Sequence, residues 1–162
     1  MSTRSKVAYA LTAAALALVT ASAAAQQRPG YGPAVTVDQA KKIAAKAVAE
    51  CLSNKWNVAV AVVDPHGLLI YYERMEDTQT ASSDIAIMKA RAAATYRRPT
   101  RAFVEAIEKT GPATLSLPGA VASPGGVPLF SNGKVIGAVG ASGVTGDQDE
   151  QCSKAGATAL GG

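Results

Sequence analysis

The chain has 162 residues, 48% of them apolar and 17% charged, which is enough for one domain with its own core. Its formal charge of +4 shrinks on inspection: Arg4 and Lys6 lie in the N-terminal segment, and the rest carries 14 basic against 12 acidic residues, a net of +2. That excess, with 5% aromatic residues, excludes a nucleic-acid surface built on phosphate contacts and base stacking.

In chain order, Arg4 and Lys6 precede the apolar run Val7–Val19, which is short and alanine-rich for a membrane span. The small residues Ala21–Ala25 follow at the spacing a signal peptidase reads. We therefore expect residues 1–25 to be a secretory signal peptide cleaved before Gln26, with an uncleaved anchor as the rival reading. No twin arginine is present, so the general secretory route is favoured, giving a periplasmic or secreted protein. No second hydrophobic run follows, so no membrane association is expected after cleavage. Residues 26–34, beginning QQRPGYGP, read as a flexible linker, and residues 35–162 as the folded domain.

Thr36 and Gln39 have capping-box spacing, Val35 and Ala40 form a hydrophobic staple, and apolar residues keep helical spacing to about Cys51. Asn57–Val63 is a β-rich run, Asp64-Pro65-His66-Gly67 a type I turn, and Leu68–Glu73 the return strand, with Leu68, Ile70 and Tyr72 on one face. A second long helix, Asp84–Arg97, starts at Ser82 or Ser83 with Ile85, Met88, Ala92 and Tyr96 as its apolar stripe and Lys89 and Arg91 off it. Pro99 ends that helix, and Thr100 caps a shorter one through Glu108. Val127–Phe130 and Lys134–Val139 flank Asn132-Gly133, the signature of a type I′ hairpin. Asp147 and Glu150 read as the capping pair of a last helix, Asp149–Leu160. A further short strand is expected near Gly119–Ala122. Strands joined by hairpins imply an antiparallel sheet that helices at both chain ends can cover.

Cys51 and Cys152 are the two cysteines, near the ends of the first and last helices. In an oxidising compartment they would form one disulfide; two free buried thiols or an intermolecular link are the alternatives. His66 is the single histidine, so a histidine zinc site is excluded. In its turn it is either a solvated residue or an axial ligand. No G-x-S-x-G elbow supports a hydrolase triad, and neither phosphate-loop nor dinucleotide fingerprints occur in strand-to-helix context. Arg91, Arg97, Arg98 and Arg101 cluster around Pro99, where guanidinium groups and the Thr100 hydroxyl suit carboxylates; a solvated charged face is the alternative. Gly125, Gly126 and Gly140 thin the approach to the last hairpin and read as the wall of a shallow ligand site.

Three segments carry a family resemblance: VAVAVVDPHGLLIYYERMEDT (58–78), DIAIMKARAAATYRRPT (84–100) and PGGVPLFSNGKVIGAVGASGVTGDQDEQC (124–152). The chain resembles the GlcG/HbpS family, also called the haem-degrading or PduO C-terminal-like family. That resemblance implies an α/β (α+β), profilin-like three-layer fold, a five-stranded antiparallel sheet in the order α-β-β-α-α-β-β-β-α. It also implies a small-molecule binder, with haem or a related tetrapyrrole as ligand and cofactor, and a homo-oligomer. Val35–Asn54 lacks the first-helix histidine that ligates haem in some relatives. The axial candidates left are His66, Met75, Tyr72, Tyr71, Cys51 and the Thr100 region, with Arg91, Arg97, Arg98 and Arg101 suiting the propionates. The alternative is an enzyme or accessory factor acting on a small carboxylate such as a 2-hydroxy acid, without haem. No catalytic group is assigned.

Overall fold

The computed structural model describes residues 28–161; the expected signal peptide, residues 1–25, lies outside them. Helix α1 (Val37–Ser53) starts where expected: the Gln39 amide donates to Thr36 Oγ1 (3.2 Å) and the Thr36 amide to Gln39 Oε1 (2.9 Å). Strands β1 (Ala59–Val63) and β2 (Leu69–Arg74) follow, then α2 (Ser82–Tyr96), α3 (Arg101–Thr110), β3 (Gly126–Ser131), β4 (Lys134–Ser142) and α4 (Gly146–Ala157). Short 3-10 turns at Pro112–Ser116 and Thr158–Leu160 complete the order.

The sheet is antiparallel throughout, in the order β2-β1-β4-β3. Among the described residues it has four strands, not the expected five: Gly119–Ala122 is turn and irregular chain. Beyond the end of β1, whose Val63 pairs with Ala138, the start of β4 meets an upstream segment. Tyr31 forms a single parallel bridge with Val135, the Gly32 amide donates to Val135 O (2.8 Å), and the Val135 amide donates to Gly30 O (2.9 Å). The stretch expected as a loose linker is therefore, from Arg28 onward, hydrogen-bonded to the body.

Alternation along the strands divides the core. Val58, Val60, Val62, Val139 and Ala141 face α1 and α4. Ala59, Ala61, Val63 and Ala138 face α2, which answers with Ala86, Ala90, Ala93 and Ala94. Helices thus cover both faces of the sheet, giving the expected three layers. On the α2 side nearly every facing residue is small, so helix and sheet approach closely. The buried stripe of α2 is consequently not the expected one: Met88 is 50% exposed, while Lys89 is buried.

Three further local expectations are corrected. A bulge between Val62 and Val63 leaves Ile70 unpaired, so Ile70 and Tyr71 pack toward α1 while Tyr72 packs toward α2. Helix α4 is capped two residues earlier than expected, by the Thr145–Gln148 box, which frees Glu150 for ion pairs. Thr100 stands at the N-cap position of α3 but makes no side-chain capping bond; its hydroxyl instead accepts from the Gly126 amide (3.0 Å), and its own amide donates to Gly126 O (3.0 Å).

One interaction joins the two helices of one layer, and a second crosses to α2 on the other face. Cys51 and Cys152 form a disulfide between α1 and α4, with Cα atoms 5.5 Å apart. Lys89 Nζ lies 2.7 Å from Asp149 Oδ2, both side chains 2% exposed, and also donates to Ala141 O (3.2 Å). Burial pushes the Asp149 carboxyl above its ordinary range, opposed by the Lys89 ammonium and the Val144 amide.

Removing one partner strands the other charge in the core. Lys89→Met should cost about 3–5 kcal/mol in urea denaturation, and Lys89→Met/Asp149→Leu should lie nearer the parent than either single variant. For the disulfide, Cys51→Ala/Cys152→Ala should lower stability by about 2–5 kcal/mol, read as a fall in the denaturation midpoint.

Candidate functional site at the end of the second helix

The end of α2 is where the unused donors gather. A helix leaves its last four carbonyls without intrahelical partners. Here the Arg98 amide donates to Ala93 O and the Arg97 amide to Ala94 O, each at 3.2 Å. Tyr31 Oη donates to Thr95 O (2.8 Å) and Arg28 Nη1 to Tyr96 O (3.3 Å). The upstream segment is thus held in place by the helix end.

Arg97 makes this turn with φ 54°, a left-handed conformation that costs a non-glycine residue about 1–2 kcal/mol. The reversal sends Arg97 and Arg98 to separate aromatic faces. The Arg97 guanidinium lies over Tyr31 (5.1 Å to the centroid) and donates to Pro29 O (3.0 Å). The Arg98 guanidinium lies over Phe103 (4.2 Å) and Tyr96 (5.7 Å). In both, Nε is buried without a hydrogen-bond partner. Burial, and then the nearby charge of Arg28, push Arg98 below the usual arginine value. Among the described residues no carboxylate forms a salt bridge with Arg28, Arg91, Arg97 or Arg98.

The remaining candidates separate clearly. Arg91 Nε donates to Gly67 O (3.0 Å), joining α2 to the β1–β2 turn. That turn carries His66, exposed, with its ring 6.0 Å from Tyr31, so His66 belongs to the neighbourhood of Arg97. Arg101 lies apart from the unpaired arginines in its chemistry: Asp147 and Glu150 bind it and raise its pKa. Tyr72 donates to Ser83 Oγ (2.7 Å) at the start of α2, about 20 Å along the helix from Arg97 at 1.5 Å per residue. Met75 packs against the α1–α4 core on the opposite face. Tyr71 donates to Glu73 (3.2 Å), and burial with that carboxylate raises its pKa, which disfavours a phenolate ligand. Cys51 is committed to the disulfide. Thr100 is buried in its clamp on Gly126.

The three glycines expected to line the site are buried under other elements. A Cβ at Gly126 would overlap the Lys89 carbonyl oxygen, and one at Gly140 would overlap that of Ala86. Gly125, at φ 128°, lies against Ala141 O and the Lys89 ammonium. The close approach inferred from the sequence is real, but what approaches is helix backbone at Gly126 and Gly140, and strand backbone with the Lys89–Asp149 pair at Gly125. Arg28 and Tyr31, placed in a proline- and glycine-rich stretch, carried no periodicity that would have marked them. A cavity of about 330 Å³ opens on the other face near Gln39, Phe130, Ile136 and Leu160, with no charged side chain in its lining. No helix among the described residues is long and apolar enough to cross a membrane. No group of three or more His, Cys, Asp or Glu among them is placed to hold a metal ion.

An α+β layer structure with an unpaired arginine cluster at the end of α2 is the setting for the comparisons with known proteins. Residues 35–158 match the family model described as "Haem degrading protein HbpS-like". The chain belongs to that family. It is 40% identical to protein GlcG of Escherichia coli K12 over 103 residues, covering 64% of this chain and 77% of GlcG. The crystal structure of HbpS superposes with a TM-score of 0.76 at 30% identity, over 81% of this chain and 93% of that one. The PduOC:haem complex superposes with a TM-score of 0.72 at 25% identity, over 79% and 96%.

Substitution separates packing from binding at the glycines. Gly140→Ala should abolish soluble folded protein or lower its melting temperature by more than 10 °C, since backbone rather than a flexible side chain blocks the added carbon. Arg98→Ala should fold with a melting temperature within a few degrees of the parent.

Proposed function

We propose that this protein is an exported small-molecule binder whose ligand is haem or a related tetrapyrrole, bound at the end of α2. The observation that carries the reading is the state of Arg97 and Arg98. Each guanidinium rests on an aromatic ring, each has a buried Nε without a partner, and no carboxylate among the described residues neutralises either. A buried guanidinium donor without a partner is costly, and a carboxylate ligand that pairs with the half-buried group offsets that cost. The donor set therefore fits a planar apolar ligand with anionic arms. Arg97 and Arg98 would hold the propionates, Tyr31 offers flat exposed aromatic surface, and His66 is the axial candidate in the same neighbourhood. Haem itself would supply the iron and the macrocycle. The likeness to HbpS and to PduOC, whose structure is a haem complex, supports the same reading.

Export is supported by the basic, apolar and small-residue order of residues 1–25 and by the Cys51–Cys152 bridge, which persists in oxidising compartments. Self-association belongs to the proposal too: Leu115 (56% exposed) and Leu117 (41%) present apolar surface in the stretch whose Pro118 O accepts from Tyr96 Oη (2.7 Å).

Titrating residues 26–162 with haemin should give a saturable, shifted Soret band near one equivalent per chain. Arg98→Ala should weaken binding about 10–100-fold, the worth of one charge-assisted hydrogen bond. A flat titration, with a small 2-hydroxy acid raising the melting temperature instead, would favour the carboxylate enzyme or accessory factor.

A further inference from the structure

Resting on that reading, we infer that Tyr31 is the positioning residue of the site. It couples His66 to Arg97, and so sets the separation between the two groups that such a ligand engages. The two sit on different elements. His66 is an exposed turn residue between β1 and β2 whose backbone amide is held by Asp64 Oδ1 (2.8 Å). Arg97 is the residue on which α2 ends. Tyr31 touches both neighbourhoods, with its ring 6.0 Å from the His66 ring and 5.1 Å from the Arg97 guanidinium.

Four hydrogen bonds fix the tyrosine from both ends. Its hydroxyl donates to Thr95 O (2.8 Å), and the Arg97 guanidinium reaches back to Pro29 O (3.0 Å). Gly30 and Gly32 on either side exchange backbone hydrogen bonds with Val135 (2.9 and 2.8 Å). These bonds place a residue that the core does not need, for Tyr31 remains 43% exposed. An aromatic residue held by its hydroxyl and by the backbone on both sides, yet left open to solvent, is arranged for what lies in front of it. The residue type is also specified. The hydroxyl satisfies a carbonyl at the helix end, and the ring face takes the guanidinium, so phenylalanine supplies only the second function.

The pieces would move together. Losing the Tyr31 ring removes the surface against which Arg97 is laid and the aromatic neighbour of His66, while the sheet and both disulfide-linked helices keep their contacts. A ligand that engages Arg97 and His66 would in turn hold the Gly30–Gly32 segment against β4, protecting the Gly32 and Val135 amides that bond across it.

The test compares Tyr31→Ala and Tyr31→Phe with the parent, first without ligand. In NMR spectra, Tyr31→Ala should shift the His66 ring protons toward solvent values and speed water exchange of the Arg97 Nε–H at least about tenfold, with the melting temperature nearly unchanged. Tyr31→Phe should keep the ring shift on His66. With haemin, Tyr31→Ala should weaken binding about tenfold and change the visible spectrum in the same direction as His66→Ala, and haemin should slow exchange of the Gly32 and Val135 amides in the parent. If the parent binds haemin and Tyr31→Ala binds equally with the same spectrum, the positioning role is overturned and the haem reading stands. If the parent does not bind haemin, the haem reading fails, and unmoved His66 and Arg97 resonances in Tyr31→Ala then overturn the coupling as well.

Discussion

Lys89 and Asp149 meet in the seam where α2, β4 and α4 converge, and the rest of the molecule is arranged around that contact. Two ions taken from water cost several kcal/mol each unless their remaining donors and acceptors are filled. Here they are: Lys89 also donates to Ala141 O, and Asp149 also accepts from the Val144 amide (3.1 Å). The surrounding surface explains why a charge pair stands there. Alanines and glycines line both sides of the α2–sheet contact. Such a surface buries little area per residue and offers few ridges to select one rotation of the helix. The ion pair selects it. Because α2 ends in Arg97 and Arg98, its rotation also decides where those guanidiniums lie.

The two faces of the sheet were unequally legible in the sequence. Toward α1 and α4 the pattern is ordinary: valines at alternate positions of β1 meet apolar residues at helical spacing, and the Thr36 box marks the helix start. Toward α2 the usual sign is inverted. A rule that places large apolar side chains inside puts Ile85 and Met88 in the core and Lys89 outside, whereas a small-residue contact turns the helix the other way. No periodicity within α2 shows that its neighbour is a face of alanines, since that is a property of β1 and β4. The distant Asp149 that makes Lys89 acceptable inside lies 60 residues away in sequence.

The site shows the same limit. Arg97 and Arg98 were legible because charge beside a proline-terminated helix stands out, and the β1–β2 turn announced His66 through its spacing. Glycine is ambiguous by nature: it marks a close approach without naming the visitor. At Gly126 and Gly140 the visitor is α2. Arg28 and Tyr31 were read as linker because proline and glycine surround them, and their order comes from the bare carbonyls of a helix some 65 residues later (sequence separations 68 and 64).

The Cys51–Cys152 bridge closes a loop with a sequence separation of 101 that contains all four strands, α2 and α3. The chain between them is in effect a ring, from which the second half of α4 with its 3-10 turn leads away on one side and most of α1 with the segment before it on the other. A cut in the irregular stretch between Ser116 and Gly125 would therefore yield a molecule of unchanged mass apart from one water, with its halves still joined by sulfur and by β-sheet hydrogen bonds. Damage that would end an open chain would here leave a two-chain protein still holding its sheet together.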